Sequence, residues 1–440
     1  MALRINPKHY VLHTPPDANG EPVVYGLGMP LQIGERYAAV FVNRKYNGDG
    51  IVDLEDGNDL IIFDSLGGLS AENAIRISRT TQEVLCCRDG QEREMALVNY
   101  PVATGFVPRG ALREDGSPHP HAGTGFVVVH AIAHEAVPQD VLNDPAKLDD
   151  WQAQVRAKKQ KRDWPPYQHL EVQQHTFDGK RHAIVSSKRF QPEDLLPPHV
   201  FDGYMSLTTA TSDGDDLLLG AREHMTMNAG VIRWRRSDDA WRPHSYASIS
   251  SEETNTWNNS LEPTATRGAD GSLYFTVRNA AQSPHKHSFR VWRSSDNGAS
   301  WTQTLDRGHM HEQTTTTINT AGDGTTYIAS SPYNGKDVPY SRSKLMLWAL
   351  SDDGESMEEP VVLFDSDVLP RYDDMLNWWL DHPTGATVRL ADGKWRHLLT
   401  HRVMSESEVR GFTRDVRVES GFYIHEVESD RPAIPAWRFR

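Results

Sequence analysis

The sequence predicts an all-β chain folded as a seven-bladed β-propeller with one helical insertion. Three observations carry that expectation. Short runs of alternating apolar residues recur along the chain, as in Leu273, Phe275 and Val277, followed by Phe289 and Val291; period-2 runs separated by polar turns are the signature of antiparallel meanders. Asp-Gly pairs stand before strands at Asp178, Asp213, Asp270, Asp323 and Asp392, at intervals of 35, 57, 53 and 69 residues, with an earlier one at Asp89. Repeats of about 50 residues with several strands each match four-stranded blades. Third, the 440-residue length suits a ring of six to eight such units. Seven is the expected count, with six and eight as alternatives, and one packed ring makes residues 1–440 a single domain.

The most informative stretch runs from Glu262 to Trp301. Its last turn reads Ser294-x-Asp296-x-Gly298-x-Ser300-Trp301. Asp296 can accept backbone N–H bonds within the turn and Ser294 can reinforce it. Gly298 can adopt φ > 0, and Trp301 opens the next strand. A degenerate copy stands at Ser351-Asp352-Asp353-Gly354. This pattern resembles the Asp box of the sialidase-like β-propellers, also called BNR repeats. It reports a fold, not a reaction.

Residues 1–110 read as further strands and turns. Asn47 to Asp56 (NGDGIVDLED) places oxygen-bearing side chains at alternate positions, as in calcium loops. The first ligand position is Lys45, which cannot coordinate, so a tight turn is the competing reading. Residues 117–134 carry His119, His121, His130 and His134 around a small-residue turn and an apolar strand. A helix follows in an insertion at about 137–166. Asp144 is suited to its N-cap and Pro145 to its first position. Leu148, Trp151 and Val155 form its apolar stripe, and its end is basic.

Composition excludes some partners. The formal charge is −14, which argues against nucleic acid and leaves room for an acidic polymer held in a local basic cleft. No run reaches the ~18 apolar residues of a membrane helix. The N-terminal residues lack an apolar leader core; the expectation is a secreted or periplasmic protein without its leader, the alternative a cytoplasmic one. Cys86 and Cys87 are adjacent and form no disulfide framework. A monomer is expected. No cofactor is required, while a structural zinc or calcium ion stays open; His285-x-His287 and His309-x-His311 each offer two imidazoles but no third ligand.

Propellers place ligand sites on one face, around the channel. Candidates at corresponding repeat positions are His121, His134, Tyr204, Arg222, His224, Glu262, Arg278, His311, Tyr333, His382 and Arg402. Such a set suits β-elimination on a uronic acid. Arg or His neutralises the sugar carboxylate, and a Tyr or His takes the C5 proton and protonates the leaving oxygen at C4.

Among Asp-box propellers the chain resembles the polysaccharide lyases, ulvan lyases included, which cut beside a uronate linked to rhamnose with two His, one Tyr and one Arg. Tyr204 and Arg222 look like the Tyr–Arg pair, and His121 and His134 lie in the preceding unit, with His119 and His130 as substitutes. The resemblance thus implies catalytic His121, His134, Tyr204 and Arg222, with His119, His224, Glu262 and Arg278 binding substrate. Glu262-Pro263 with Arg278 is similar instead to the sialidase Glu-Pro segment and its carboxylate-gripping arginine. That reading implies hydrolysis, for which Arg4-Ile5-Asn6-Pro7 interrupts the expected Arg-Ile-Pro and no late tyrosine sits in a convincing context, although Tyr423 exists. A non-catalytic carbohydrate-binding propeller is the third reading.

Overall fold

In the computed structural model, described residues are 3–13, 23–45, 57–136, 166–189, 208–250, 260–279, 285–333, 342–405 and 417–429, apart from short interruptions, with a few residues of 138–154. These residues form six sheets. The first holds β2 (Val23–Ile33), β3 (Arg36–Lys45), β4 (Gly57–Phe63) and β5 (Ala74–Arg79). The second has six strands: β6 (Thr81–Cys86), β7 (Glu92–Val107), β8 (Thr124–Glu135), β9 (Gln168–Phe177), β10 (His182–Ser186) and β11 (Thr208–Thr209), the last parallel to β7. The third runs β12 (Thr211–Asp213), β13 (Asp216–Arg222), β14 (Ala229–Ser237), β15 (Ala240–Ser250), and the fourth β16 (Ser260–Arg267), β17 (Leu273–Asn279), β18 (Phe289–Ser294), β19 (Thr302–Arg307). The fifth is β20 (Thr317–Thr320), β21 (Thr326–Ser330), β22 (Lys344–Ala349) and β23 (Val361–Asp365). The sixth joins β24 (Trp378–Arg389), β25 (Trp395–Ser405) and β26 (Gly421–Ser429) to β1 (Leu3–Leu12).

The chain is therefore an all-β propeller, with six sheets among the described residues rather than seven. The expected seven rested on chain length and a repeat of about 50 residues, and one sheet is larger than that repeat. Gly90 lies in the turn between β6 and β7, and Gly179 in the turn between β9 and β10, so two Asp-Gly turns serve one large sheet.

Buried clusters stitch neighbouring sheets together, each drawing side chains from both sides. Leu218, Val231, Phe275 and Trp292 join the third and fourth sheets. Phe289, Val291, Ile328 and Trp348 join the fourth and fifth. Tyr327, Leu347, Leu399 and Val403 join the fifth and sixth. Leu31, Phe63, Val129, Leu398 and Phe422 tie the sixth to the first two, and Phe126, Leu219 and Trp234 tie the second to the third. Burial of large side chains on both faces of a sheet is the main stabilising term. The ring closes where Leu3 pairs with Ser429 and Leu12 with Phe422.

Both Asp-box turns form. Asp296 Oδ1 accepts from the Ser294 hydroxyl at 2.8 Å and from the Ser300 amide at 2.9 Å. Gly298 has φ 86° and donates its amide to Ser294 Oγ at 2.8 Å, and Trp301 Nε1 donates to Gly298 O at 3.2 Å. In the degenerate copy Asp353 Oδ1 accepts from the Ser351 hydroxyl and from the Glu355 amide at 3.0 Å, with Gly354 at φ 73°. Asp144 Oδ1 accepts from the amide of Ala146 at 3.1 Å, while the one α-helix among the described residues, Gln139–Leu142, ends before it, so the expected helix from Asp144 is not established. Asn47 to Asp56, Leu148 and Val155 lie outside the described residues.

Candidate functional site

The first strand of each of the fourth and sixth sheets carries the same local device. In β16 the register slips by one residue between Leu261 and Thr264, and in β24 between Asp381 and Thr384. The bulged residues are Glu262-Pro263 and His382-Pro383. Glu262 has φ 43° and His382 φ 51°. A left-handed non-glycine residue is strained, and a bulge re-aims the side chain it carries. Beside each bulge, in the second strand, stands an arginine: Arg278 pairs with Leu261 and Arg402 with Asp381.

The two devices meet across the fifth sheet. Arg278 Nη1 donates to both Glu262 carboxylate oxygens at 3.0 Å. The Thr315 hydroxyl lies 2.9 Å from Glu262 Oε2 and 3.3 Å from His382 Nδ1. Asp381 Oδ2 accepts from Arg342 Nη1 at 2.6 Å and Arg402 Nη2 at 2.8 Å, and its Oδ1 accepts from Arg402 Nε at 2.8 Å. Arg342 also stacks on Trp379, 4.6 Å from the ring centroid. His382 Nε2 is 4.0 Å from Asp381 Oδ2.

Electrostatics fix the charge states. Burial would raise the Glu262 carboxyl, but Arg278, His382 and the Thr315 hydroxyl outweigh it and hold the group well below the usual range. Asp381 behaves likewise: burial opposes ionisation, and Arg402, His382 and Arg342 overcome it. Burial is the largest influence on His382 and, with nearby Arg402 and Arg342, brings it down to about 4 despite Asp381 and Glu262. At neutral pH the group is two carboxylates, three guanidiniums and a neutral imidazole, one positive charge in excess. It stands at the end of the ring where β16 and β24 begin; the Ser294–Trp301 turn lies between β18 and β19, at the other end.

The structure separates the histidines expected to act with Arg222. His121 sits beside Arg236, its ring nitrogens 3.0 and 3.2 Å from Nη1, and packs on Phe126 and Trp241. Arg236 pairs with Trp241, whereas Arg222 pairs with Ala229, seven residues earlier in β14. At ~3.3 Å per residue this is roughly 23 Å, so His121 stands at the Asp-box end and Arg222 at the other. His119, 5.7 Å from His121, shares its end. His134, paired with Ala96, is ten strand residues beyond Thr124, roughly 33 Å along β8. His121 and His134 therefore do not converge. His130 is buried against Gln168, 2.9 Å from Nε2 to Oε1. Tyr204, His224 and the Arg222 side chain lie outside the described residues.

Other candidates have structural partners. His311 stacks on Phe289 at 4.8 Å, and its Nε2 donates to Ser288 O at 3.0 Å. Tyr333 packs on His287, the ring centroids 4.1 Å apart and the planes tilted by 32°. No group of three or more His, Cys, Asp or Glu suited to a metal ion occurs among the described residues. The late tyrosines Tyr372 and Tyr423 both bond to Glu419, at its carboxylate and its carbonyl, not to Glu262. Of this cluster the sequence had singled out Glu262, Arg278, His382 and Arg402 as candidates, but not Thr315, Arg342 and Asp381. The signal for Asp381 was the repeated x-Pro-Thr after Leu261 and Asp381.

Residues 205–413 match the family described as BNR repeat-like domain. The sequence matches no curated protein. Among solved structures it is similar to the sialidase of Trypanosoma rangeli in complex with sialic acid, at 12% identity and TM-score 0.51, over 97% of this chain and 57% of that one. A mutant of the NanB sialidase of Streptococcus pneumoniae is similar at 9% identity and TM-score 0.55, over 96% and 70%. A protein of unknown function from Dyadobacter fermentans is similar at 11% identity and TM-score 0.51, over 97% and 99%. The chain thus spans little more than half the length of the T. rangeli sialidase, and at these identities the likeness is one of fold. With its Asp-box turns and its ring of sheets, the chain has the fold of the sialidase β-propellers, and residues 205–413 carry the BNR repeat-like domain.

Proposed function

We propose that this protein is a carbohydrate-active enzyme that grips the carboxylate of an acidic sugar at Arg278, Arg342 and Arg402 and cleaves a uronate-containing polysaccharide, ulvan-like in its uronate–rhamnose linkages, by β-elimination. The observation that carries this reading is the placement of His382 in one buried group with Arg278, Arg342 and Arg402, bridged by Glu262, Thr315 and Asp381. The excess positive charge favours one carboxylate ligand. Pairing that carboxylate with guanidinium stabilises the carbanion-like charge that develops at C5.

His382 is then the base. Its Nε2 takes the C5 proton, the C5–H electron pair becomes the C4=C5 double bond, and the C4–O bond breaks. The same proton passes to the departing oxygen. No cofactor enters. A substrate carboxylate beside the ring also raises the imidazole's proton affinity, so the base strengthens as the ligand binds. Tyr204 and Arg222 remain candidates for the leaving-group side.

The T. rangeli structure holds sialic acid, another sugar acid, and the contact between Glu262 and Arg278 favours a second reading, hydrolysis of sialosides. That chemistry needs a tyrosine beside Glu262. The decisive experiment follows ultraviolet absorbance during incubation with uronate polymers and, in parallel, release of sialic acid from sialosides. Elimination creates an absorbing conjugated double bond and hydrolysis does not. Absorbance growth that disappears in His382→Ala supports the proposal; free sialic acid without it supports the alternative; binding without either product leaves a lectin-like propeller.

A further inference from the structure

Thr315 precedes β20 and is 1% exposed. Its hydroxyl touches two groups that compete for one hydrogen: the ionised Glu262 at 2.9 Å and His382 Nδ1 at 3.3 Å. A hydroxyl donates once and accepts twice. The shorter contact, to a charged acceptor, is the stronger, so the hydrogen goes to Glu262. An unprotonated Nδ1 would then face an oxygen lone pair. The favourable arrangement puts the imidazole proton on Nδ1, donating to Thr315 Oγ1. Asp381 Oδ2, 4.0 Å from Nε2, is too far to hold a proton there by hydrogen bonding.

We infer that Thr315 is a positioning residue: it relays the negative charge of Glu262 to His382 through two hydrogen bonds and fixes the tautomer whose lone pair is on Nε2. The Glu262–Thr315–His382 chain does for the imidazole what a carboxylate partner does in other general bases. It sets the ring and stabilises the imidazolium once Nε2 has taken a proton. Glu262 then acts through His382 instead of activating a nucleophile. The inference rests on the assignment of His382 as base, but its physical content is a property of the resting protein.

The test is nitrogen-15 NMR of the His382 ring in the full chain at pH 7, for wild type, Thr315→Val and Thr315→Ser. Wild type and Thr315→Ser should show a protonated Nδ1 and an unprotonated Nε2. Thr315→Val, close in shape but without the hydroxyl, should show the other tautomer or a mixture. On a uronate polymer, Thr315→Val should lose about 10- to 100-fold in kcat with KM nearly unchanged, and Thr315→Ser should recover most of it. A proton on Nε2 in wild type, or an unchanged tautomer in folded Thr315→Val, overturns the inference. Absence of elimination by wild type counts against the proposed function, whereas the NMR outcome decides the relay by itself.

Discussion

Glu262 and His382 occupy the same position in two sheets, each a left-handed residue ahead of a proline in a bulged first strand, and the Thr315 hydroxyl joins them. The ring thus uses one backbone device twice and loads it with different chemistry. The anion anchors; the imidazole is left to titrate.

Removing a guanidinium should weaken capture of acidic sugars. Arg278→Ala or Arg402→Ala is expected to raise KM for a uronate polymer by about 10- to 100-fold, the scale of one charge-assisted contact. Added salt should weaken wild-type binding as well. Calorimetric titration with a uronate oligosaccharide and its carboxyl-reduced counterpart checks this; equal affinity for the two would sink the carboxylate grip.

Asp381 clamps two arginines and is fully buried on its side chain. Asp381→Ala leaves both guanidiniums without that partner and should cost about 3–5 kcal/mol of stability, the usual consequence of breaking a buried pair from one side. Denaturant titration reads the loss. Replacing both Asp381 and Arg342 should cost less than the sum of the single changes.

Acid should loosen the seam where the ring closes. Burial depresses His401 to about 3, with His9 adding repulsion, and pushes His425 down, with His401 and His9 adding repulsion; His9 is lowered by burial. His401 and His425 face one another at 2.9 Å between Nε2 atoms, against Phe364 and Tyr423, with Asp381 the carboxylate that favours a proton on His401. Their unfolded value is ~6.5. The unfolded chain therefore binds more protons between about pH 6.5 and 3, so stability is full above that range and falls as pH drops through it. A decrease of about 10 °C in Tm between pH 7 and 4.5 is expected, and His425→Gln should flatten it.

The Ser294–Trp301 turn should be separable from chemistry. Asp296→Ala removes the acceptor for the Ser300 amide and the Ser294 hydroxyl and should lower the thermal midpoint measurably. The elimination proposed at the opposite end of the strands should not change; assays on the folded variant check that.

The features legible in the sequence are those that are local. Ser294, Asp296, Gly298 and Trp301 bond within one turn, so their spacing alone announces the fold. Blade count is not local: Gly90 and Gly179 belong to turns of one oversized sheet, so chain length divided by an average repeat misjudges it. The histidines fail for a related reason. His121 and His134 are close in sequence, but an extended strand carries them to opposite ends. Glu262, Arg278, His382 and Arg402 were visible because they recur with the bulge. Thr315 was hidden in Thr314–Thr317, four threonines that read as ordinary strand, and Arg342 lacks a repeat partner.

The last sheet takes its outermost strand from the opposite terminus, Leu3 against Ser429. Synthesis from the ribosome therefore cannot finish the architecture piece by piece: the opening strand must wait, unpaired, until some four hundred later residues have emerged. A chaperone that shields this waiting edge would raise the yield of folded molecules.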